Sequence, residues 1–236
     1  MIKFQNVSVE IKGKRILNNI NLTVNDGEFV LLCGESGCGK TTLTRLVNGM
    51  IPHFIKDVKV DGTVTVNDLD IAESPMYKIA ESVGSVFQNP KTQFFNTDSS
   101  AEIAFGLENI GADRDYMHKR VAQTISDLKI ENLADRNVFS MSGGEKQLLA
   151  FASIYAMNPQ IYVLDEPSAN LDHEAIEKLR KILETVKKSG HTVLIAEHRI
   201  SYLYGLADRI VYLKDGCIEK DFTAAAFAGI TESERI

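Results

Sequence analysis

This chain carries the octapeptide Gly34-Glu35-Ser36-Gly37-Cys38-Gly39-Lys40-Thr41 directly after a short apolar run, Phe29-Val30-Leu31-Leu32-Cys33. A continuous apolar run of this length predicts a strand that is buried on both faces of a parallel sheet. The residues from Thr41 to Asn48 predict a helix that ends before Pro52. Strand, glycine-rich loop and helix, in that order, form the context in which such a loop binds phosphate. The stretch therefore predicts an α/β fold of the P-loop NTPase class.

The loop supplies most of the residues that we expect to hold a nucleotide. Its glycines let backbone N–H groups approach phosphate oxygens, and the positive end of the following helix points at them. Lys40 adds a charge for the β- and γ-phosphates, which also makes it a catalytic candidate, and the hydroxyl of Thr41 suits Mg²⁺. The expected nucleotide-binding residues are Gly34, Glu35, Ser36, Gly37, Cys38, Gly39, Lys40, Thr41 and Thr42.

Composition limits the class of protein. The chain has 236 residues, of which 44% are hydrophobic and 25% are charged, as in an ordinary soluble protein with a substantial core. Its net charge of −6 argues against nucleic acid as a partner, because nucleic-acid surfaces select clustered Lys and Arg. We find neither a bilayer-length apolar run nor an N-terminal secretory signal, so we expect a cytosolic protein.

The three cysteines, Cys33, Cys38 and Cys217, are odd in number and lack metal-ligand spacing. We therefore expect reduced thiols. Cys33 is predicted to be a buried strand residue. Cys38 is expected to be reachable by thiol reagents when nucleotide is absent.

The rest of the chain predicts a three-layer α/β core with two additions. An antiparallel layer is expected from strands at Ile2 to Ile11, Ile20 to Val24 and Thr63 to Val66. Helical periodicity from about Ser99 to Met157 indicates an inserted helical subdomain, residues 90–157, within a core formed by residues 1–89 and 158–236. The core resumes with a strand, a helix and two strands at Ile161 to Leu164, His173 to Lys188, Thr192 to Ala196 and Ile210 to Leu213.

Two acids follow the apolar run from Ile161 to Leu164. Asp165 would project from the carboxyl edge of the sheet, where α/β folds bind ligands, and suits Mg²⁺ coordination. Glu166 suits a base that polarises water in line with a γ-phosphate. Adjacent acids at a strand end are often only solvated turn residues, but the phosphate loop upstream favours a catalytic pair.

A third motif, Ser142-Gly143-Gly144-Glu145-Lys146, lies between the loop and the acidic pair. Ser142, Gly143 and Gly144 would open a helix that runs to about Met157. The free N–H groups and the dipole at such a helix start attract an anion. We therefore expect a second phosphate-binding element here.

Together these motifs make the chain resemble the ATP-binding cassettes of the ABC family along nearly its whole length. The resemblance implies an ATPase, with ATP and Mg²⁺ as cofactors, whose cassettes pair head to tail. Each ATP would lie between one P-loop and the partner's Ser142, Gly143 and Gly144. The turn at residues 168–172 belongs to the same pattern.

The resemblance also implies roles for two residues outside the loop and the acidic pair. Gln88 would touch Mg²⁺ or the attacking water, and His198 would bond the γ-phosphate. A lone glutamine more often lies on the surface, but Gln88 stands where the helical subdomain begins. The metal candidates are thus Thr41, Gln88 and Asp165. The other histidines, His53, His118, His173 and His191, are expected on the surface.

Three positions depart from the family pattern. Members usually place an aromatic residue near position 11 to stack on adenine, whereas this chain has Ile11, so stacking is weakened or supplied elsewhere. Met141 and Glu145 stand where Leu and Gln are commonest, and both changes leave the Ser-Gly-Gly element intact.

Other segments resemble the ATPase subunits of energy-coupling factor importers, which take up vitamins and transition-metal cations. They are Asn48-Gly49-Met50-Ile51-Pro52-His53, Val86-Phe87-Gln88-Asn89-Pro90, Gln93-Phe94-Phe95, Ala104-Phe105-Gly106-Leu107-Glu108-Asn109 and Ala196-Glu197-His198-Arg199. This resemblance implies an integral membrane coupling subunit and a substrate-binding membrane subunit, with the chain peripheral on the cytoplasmic face. Phe94, Phe95 and Phe105 either receive a coupling helix of the membrane subunit or fill the core of the subdomain.

Two other classes compete with a transport ATPase. Cytosolic cassette ATPases of translation usually carry two cassettes, and those of DNA repair insert a long coiled coil, neither of which this sequence displays. A P-loop kinase leaves Ser142 to Lys146 unexplained. The sequence leaves open a homodimer, a heterodimer with a second cassette, and one half of a longer chain.

Overall fold

The computed structural model describes residues 1–90 and 93–228, which form a six-stranded sheet, a four-stranded sheet and the helices around them. The larger sheet has the strand order β10-β9-β3-β8-β7-β6 and is parallel except for β10, which pairs antiparallel with β9. Its strands are β3 (Phe29–Gly34), β6 (Val83–Val86), β7 (Ile161–Asp165), β8 (Thr192–Ala196), β9 (Arg209–Lys214) and β10 (Cys217–Thr223).

The smaller sheet is antiparallel, with the order β2-β1-β4-β5. Its strands are β1 (Ile2–Ile11), β2 (Lys14–Val24), β4 (Val58–Val66) and β5 (Leu69–Asp70). The helices are α1 (Lys40–Val47), α2 (Met50–His53), α3 (Met76–Ser82), α4 (Ser99–Asn109), α5 (Arg114–Leu128), α6 (Gly143–Met157), α7 (His173–Lys188) and α8 (Ala224–Ala228).

The parallel sheet separates two apolar clusters, because successive side chains of a strand point to opposite faces. In β3, Phe29 and Leu31 pack with the helical side of the molecule, while Val30 and Leu32 pack with the antiparallel sheet and α1. All four side chains are buried. This double burial explains why the sequence of β3 is continuously apolar.

Local signals explain where the site-bearing helices begin. The Asp172 carboxylate accepts the N–H of Ala175 and caps α7, whose Leu179, Leu183 and Val186 are buried against the core. Such a cap contributes about 1 kcal/mol. Helices α4 and α6 pack on each other and carry the apolar side chains of the helical segment.

The predicted three-layer α/β core, antiparallel layer and helical segment are confirmed. The expected bounds of β1, β8 and α7 match the structure, but β2 begins at Lys14 and β4 at Val58, earlier than predicted. The start of β2 was missed because adjacent polar residues such as Asn18-Asn19 interrupt its alternation of apolar and polar side chains. Strands β6 and β10 were not predicted, because β6 is short and contains Gly84, and β10 is largely polar.

Four strands of the parallel sheet end at the same edge. The glycine loop follows β3, Asp165 ends β7, His198 comes shortly after β8, and Gln88 comes shortly after β6. Within the described residues, no helix combines the length and apolar character needed to cross a bilayer.

Candidate functional site

The glycine loop joins β3 to α1 by a backbone that requires glycine. Gly34, Gly37 and Gly39 have φ angles of 143°, 81° and 111°, in the region that side chains disfavour. A Cβ atom at Gly34 would lie 2.2 Å from the Leu213 carbonyl oxygen. The N–H of Leu43 donates to the Gly39 carbonyl as α1 begins, so the N–H groups of residues 40–42 precede the intrahelical bonds and can face an anion.

Lys40 is buried beneath this loop. Its Nζ donates hydrogen bonds to the carbonyl oxygens of Gly34 at 2.8 Å and Glu35 at 2.9 Å. The ammonium group is thus held at the inner wall of the loop, where a phosphate bound by the loop's N–H groups would meet it. Thr41 and Thr42 follow in the first turn of α1, with Thr42 buried.

Cys38 corrects one expectation. Its side chain is only 6% exposed, and Sγ lies 3.8 Å from Lys40 Nζ, so the thiol faces inward and not toward reagents in solvent. Burial raises the pKa of the neighbouring Cys33 thiol to about 11, which keeps it protonated. All three cysteines are free, as predicted.

Thr41 and Asp165 lie together at the sheet edge. The Thr41 hydroxyl donates to Asp165 Oδ1 at 3.0 Å, across 124 positions of sequence. Burial raises the pKa of Asp165, an effect that the Thr41 hydrogen bond opposes. A hydroxyl and a carboxylate at hydrogen-bond distance are oxygen ligands of the kind that Mg²⁺ prefers, with phosphate and water filling its other positions. The residues present therefore fit this cation.

Glu166 is contacted from two sides. Gln88 Nε2 donates to its Oε2 at 2.9 Å, and His198 Nε2 lies 3.1 Å from its Oε1. Glu166 itself has a left-handed φ of 47°, and its N–H donates to the Ala196 carbonyl at the end of β8. Two predicted site residues, Gln88 and His198, thus meet at the carboxylate of a third, Glu166. The three lie far apart in the sequence, which gives no sign of this contact.

The Ser142 motif opens α6 as predicted. Ser142 is the N-cap, and its hydroxyl and the Glu145 carboxylate form a reciprocal capping box. Gly143 and Gly144 form the first turn, and a Cβ atom at Gly143 would meet nothing within 4 Å. The Ser142 N–H and hydroxyl both bond to Glu145 within the same turn. Among the described residues, no hydrogen bond links Ser142 to the glycine loop.

Arg136 is a residue of this element that sequence reasoning missed. Its Nη1 donates to Glu145 Oε1 at 2.6 Å, while Oε2 accepts the Ser142 N–H. The hydrogen bond from the Ser142 N–H has the largest effect in lowering the pKa of Glu145, and the bond from Arg136 lowers it further. Glu145 is therefore ionised. An arginine six positions before Ser142 carried no local signal of this pairing.

The hairpin between β1 and β2 lies beside the glycine loop. The Ile16 carbonyl oxygen and the Leu17 side chain would both contact a Cβ atom at Gly39. Ile11, which pairs with Lys14 across the turn, is partly buried against the same apolar cluster. Residues 11–17 contain no aromatic side chain, and the exposed side chains of the hairpin are the cations Lys12, Lys14 and Arg15.

The three phenylalanines after Gln88 differ in how much of each side chain is exposed. Phe94 packs on the core, whereas Phe95 is 73% exposed and stacks on Phe105 with ring centroids 4.8 Å apart. They line a groove of about 790 Å³ together with Met50, Met76, Tyr77 and Met157 among others. We call this surface the phenylalanine groove. It is mostly apolar and open to solvent, which is the form of a site for an amphipathic helix.

The surface positions expected for His53, His118 and His173 are confirmed. The surface position expected for His191 is wrong. Its side chain is partly buried, and its ring lies edge-on to Tyr162 with the ring centroids 5.3 Å apart. Burial lowers the pKa of His191. Its neutral imidazole belongs to the packing beneath the sheet.

Residues 17–169 match the sequence model of a family described as ABC transporter. An ABC transporter ATP-binding protein of Treponema denticola is 46% identical over 99% of this chain and 48% of its own length. A relative of the same description from Pyrococcus furiosus is 36% identical, with 88% and 77% covered. The chain spans about half the length of the Treponema relative.

Solved structures agree in fold. CbiO1 of Clostridium perfringens, part of the ABC transporter complex CbiONQ, superposes with a TM-score of 0.85 at 29% identity, covering 97% of this chain and 90% of its own. The ATP-binding cassette MJ0796, solved as a dimer in a post-hydrolysis state with ADP and phosphate, gives 0.79 at 26% identity. The coverage there is 95% of this chain and 99% of that one.

Proposed function

This chain belongs to the ABC transporter family, and we propose that it is an ATP-hydrolysing subunit that powers solute import across a membrane. The observation that carries the proposal is the Glu166 carboxylate held between Gln88 and His198 at the edge that also bears the glycine loop. An ATPase needs these parts together: a phosphate cradle, a cation site and a base for water.

Each residue has a chemical task in this proposal. The N–H groups of residues 34–42 and the Lys40 ammonium bind the phosphates and neutralise charge that develops on the γ-phosphate. Thr41 and Asp165, with Gln88 nearby, would hold Mg²⁺, which supplies charge neutralisation at the β- and γ-phosphates. Glu166 accepts the proton of the attacking water. His198 donates a hydrogen bond to the γ-phosphate and so leaves Glu166 free to act as base.

The second half of each site would come from another cassette. The start of α6 at Ser142 is exposed and capped, and Gly143 leaves open space in front of the helix. A phosphate of a partner's ATP could approach these N–H groups closely. ATP binding would then close two cassettes on each other, and hydrolysis would release them. The dimeric state of the cassette MJ0796 supports this proposal.

The importer is proposed to be of the energy-coupling factor type, taking up a vitamin or a transition-metal cation. The similarity to CbiO1, part of a transporter complex, supports this type. The phenylalanine groove would receive a coupling helix from an integral membrane subunit, and a separate membrane subunit would bind the solute. The chain would then sit peripherally on the cytoplasmic face of the membrane.

Affinity purification from membranes of the source organism tests this proposal. We expect integral membrane proteins to be recovered together with ATPase activity that depends on Mg²⁺. Recovery of ribosomal RNA or DNA-repair proteins instead, with ATPase stimulated by nucleic acid, would favour the cytosolic class.

A further inference from the structure

Glu197 is a buried charged residue to which the proposed function gives no role. It stands between β8 and His198 and is only 2% exposed. Its own N–H donates to the Leu32 carbonyl oxygen of β3 at 3.0 Å. The backbone at Glu197 is therefore fixed to the centre of the parallel sheet, directly beneath the loop that carries His198.

The carboxylate of Glu197 accepts four hydrogen bonds, two at each oxygen. Oε1 accepts the Ser168 N–H at 2.9 Å and the Tyr202 hydroxyl at 2.8 Å. Oε2 accepts the N–H groups of His198 at 2.9 Å and Arg199 at 3.3 Å. These four hydrogen bonds satisfy both oxygens of the buried carboxylate.

These donors belong to the two loops that carry Glu166 and His198. Ser168 is two residues after Glu166, and the Ala169 N–H returns to the Glu166 carbonyl at 3.1 Å. The Arg199 side chain adds a second tie, since its Nη1 donates to the Leu171 carbonyl at 3.2 Å. Glu197 thus holds both loops through one rigid group.

We propose that Glu197 is a positioning residue that fixes the separation of Glu166 and His198 for ATP hydrolysis. This inference rests on the proposed function. Glu197 is buried and both of its oxygens are occupied by protein donors, so it acts through the two residues whose loops it holds. Catalytic groups need placement to within a fraction of an ångström, and such placement depends on supporting hydrogen bonds of this kind.

The pattern of donors predicts which substitutions fail. Glutamine has the same shape but only one acceptor oxygen, so either orientation turns its NH₂ group toward two donors. Aspartate keeps the charge and both oxygens but is one methylene shorter, so it cannot reach both loops. In Tyr202→Phe only one of four donors is lost, and the three backbone N–H groups remain.

Steady-state ATPase assays and nucleotide binding on the intact chain test the proposal. We expect Glu197→Gln to lower kcat at least about tenfold and Glu197→Asp at least about fivefold, with the Kd for ATP within about twofold of wild type. Tyr202→Phe should lower kcat by less than about threefold. Glu28→Gln is the matched control, because Glu28 also accepts a loop N–H but lies at the opposite end of β3.

A double-mutant cycle with His198→Ala separates positioning from general stability. His198→Ala keeps the backbone N–H that Glu197 accepts, so the loop contact survives. If Glu197 acts through His198 and Glu166, its substitution should cost much less in the His198→Ala background than in wild type. Additive losses, or a kcat of Glu197→Gln and Glu197→Asp within about twofold of wild type, would overturn the proposal.

Failure of the proposed function would look different. If Glu166→Gln retained full turnover, the assignment of the base would be wrong, whatever Glu197 does. If Glu166→Gln is inactive while both Glu197 variants keep full turnover, only the positioning role is wrong.

Discussion

The imidazole Nε2 of His198 lies 3.1 Å from Oε1 of Glu166. The two residues meet because they follow the ends of β7 and β8, which are adjacent parallel strands. Because the other oxygen of Glu166 accepts a hydrogen bond from Gln88, contacts at both oxygens fix the orientation of the carboxylate. A base that is already oriented loses little entropy when it meets water in the closed state.

Glu166→Gln should therefore bind ATP normally and hydrolyse it about 10²–10⁴-fold more slowly, because the amide cannot accept a proton. With hydrolysis blocked, we expect an ATP-dependent dimer that persists during size-exclusion chromatography. Phosphate release and elution volume measure the two effects. Glu174→Gln, an exposed carboxylate on α7, is the control. Normal turnover of Glu166→Gln would contradict the assignment.

Asp165, a proposed Mg²⁺ ligand, should also make the stability of the fold depend on pH. Burial raises its pKa above that of the unfolded chain, so the carboxyl contributes stability that is present at acid pH and lost as the pH rises through the raised value. At neutral pH the charged form then costs stability, which a bound cation would recover.

Asp165→Asn should accordingly raise the Tm of the nucleotide-free protein at pH 7 by about 2–4 °C, while reducing the further rise caused by ATP with Mg²⁺. The difference from wild type in nucleotide-free protein should shrink as the pH falls toward 4. Thermal unfolding at several pH values, with and without MgATP, measures both effects. Asp61→Asn, at an exposed position, should change neither. A lower Tm for Asp165→Asn at pH 7 would show that the Thr41 contact outweighs burial.

Much of this site was predictable because its elements are local. The glycine loop, the two acids at the end of β7 and the start of α6 each combine a short motif with an apolar strand or a helix signal within a few residues. The contact between Gln88 and Glu166 spans 78 positions and depends on the packing of β6 beside β7, which a single sequence does not encode visibly.

The errors have equally physical causes. Cys38 was expected to be accessible because it lies in a loop, but the left-handed backbone at Gly37 and Gly39 turns its side chain under Lys40. His191 precedes β8 like a surface residue, yet it packs against Tyr162 beneath the sheet. Side-chain direction within turns was the part that sequence patterns could not supply.

Gly143 allows the role of the Ser142 element to be tested without disturbing the chain itself. A Cβ atom at Gly143 meets no other atom within 4 Å, so Gly143→Asp should fold with a Tm close to that of wild type. The added carboxylate would repel a partner's phosphate at the start of α6. We expect ATPase to fall more than about tenfold, and ATP-dependent dimerisation in the Glu166→Gln background to disappear.

The matched control for Gly143→Asp is His118→Asp, which adds an acid at an exposed position of α5. Wild-type activity of His118→Asp excludes a general effect of charge. If Gly143→Asp hydrolyses ATP and dimerises like wild type, Ser142, Gly143 and Gly144 do not face a second cassette's nucleotide.

The last prediction concerns the phenylalanine groove and its role in coupling the ATPase to a membrane subunit. Phe95 is mostly exposed and supported by Phe105, so Phe95→Glu should leave the fold intact while placing a charge where an apolar helix face would dock. Burying that carboxylate without a partner costs several kcal/mol. We expect loss of the membrane complex and at least a tenfold fall in solute uptake, with ATP binding by the isolated chain changed less than about twofold. Tyr116→Glu, an exposed aromatic on α5 outside the groove, is the control. Co-purification of membrane subunits with Phe95→Glu at wild-type levels, and undiminished uptake, would place the docking surface elsewhere on the molecule.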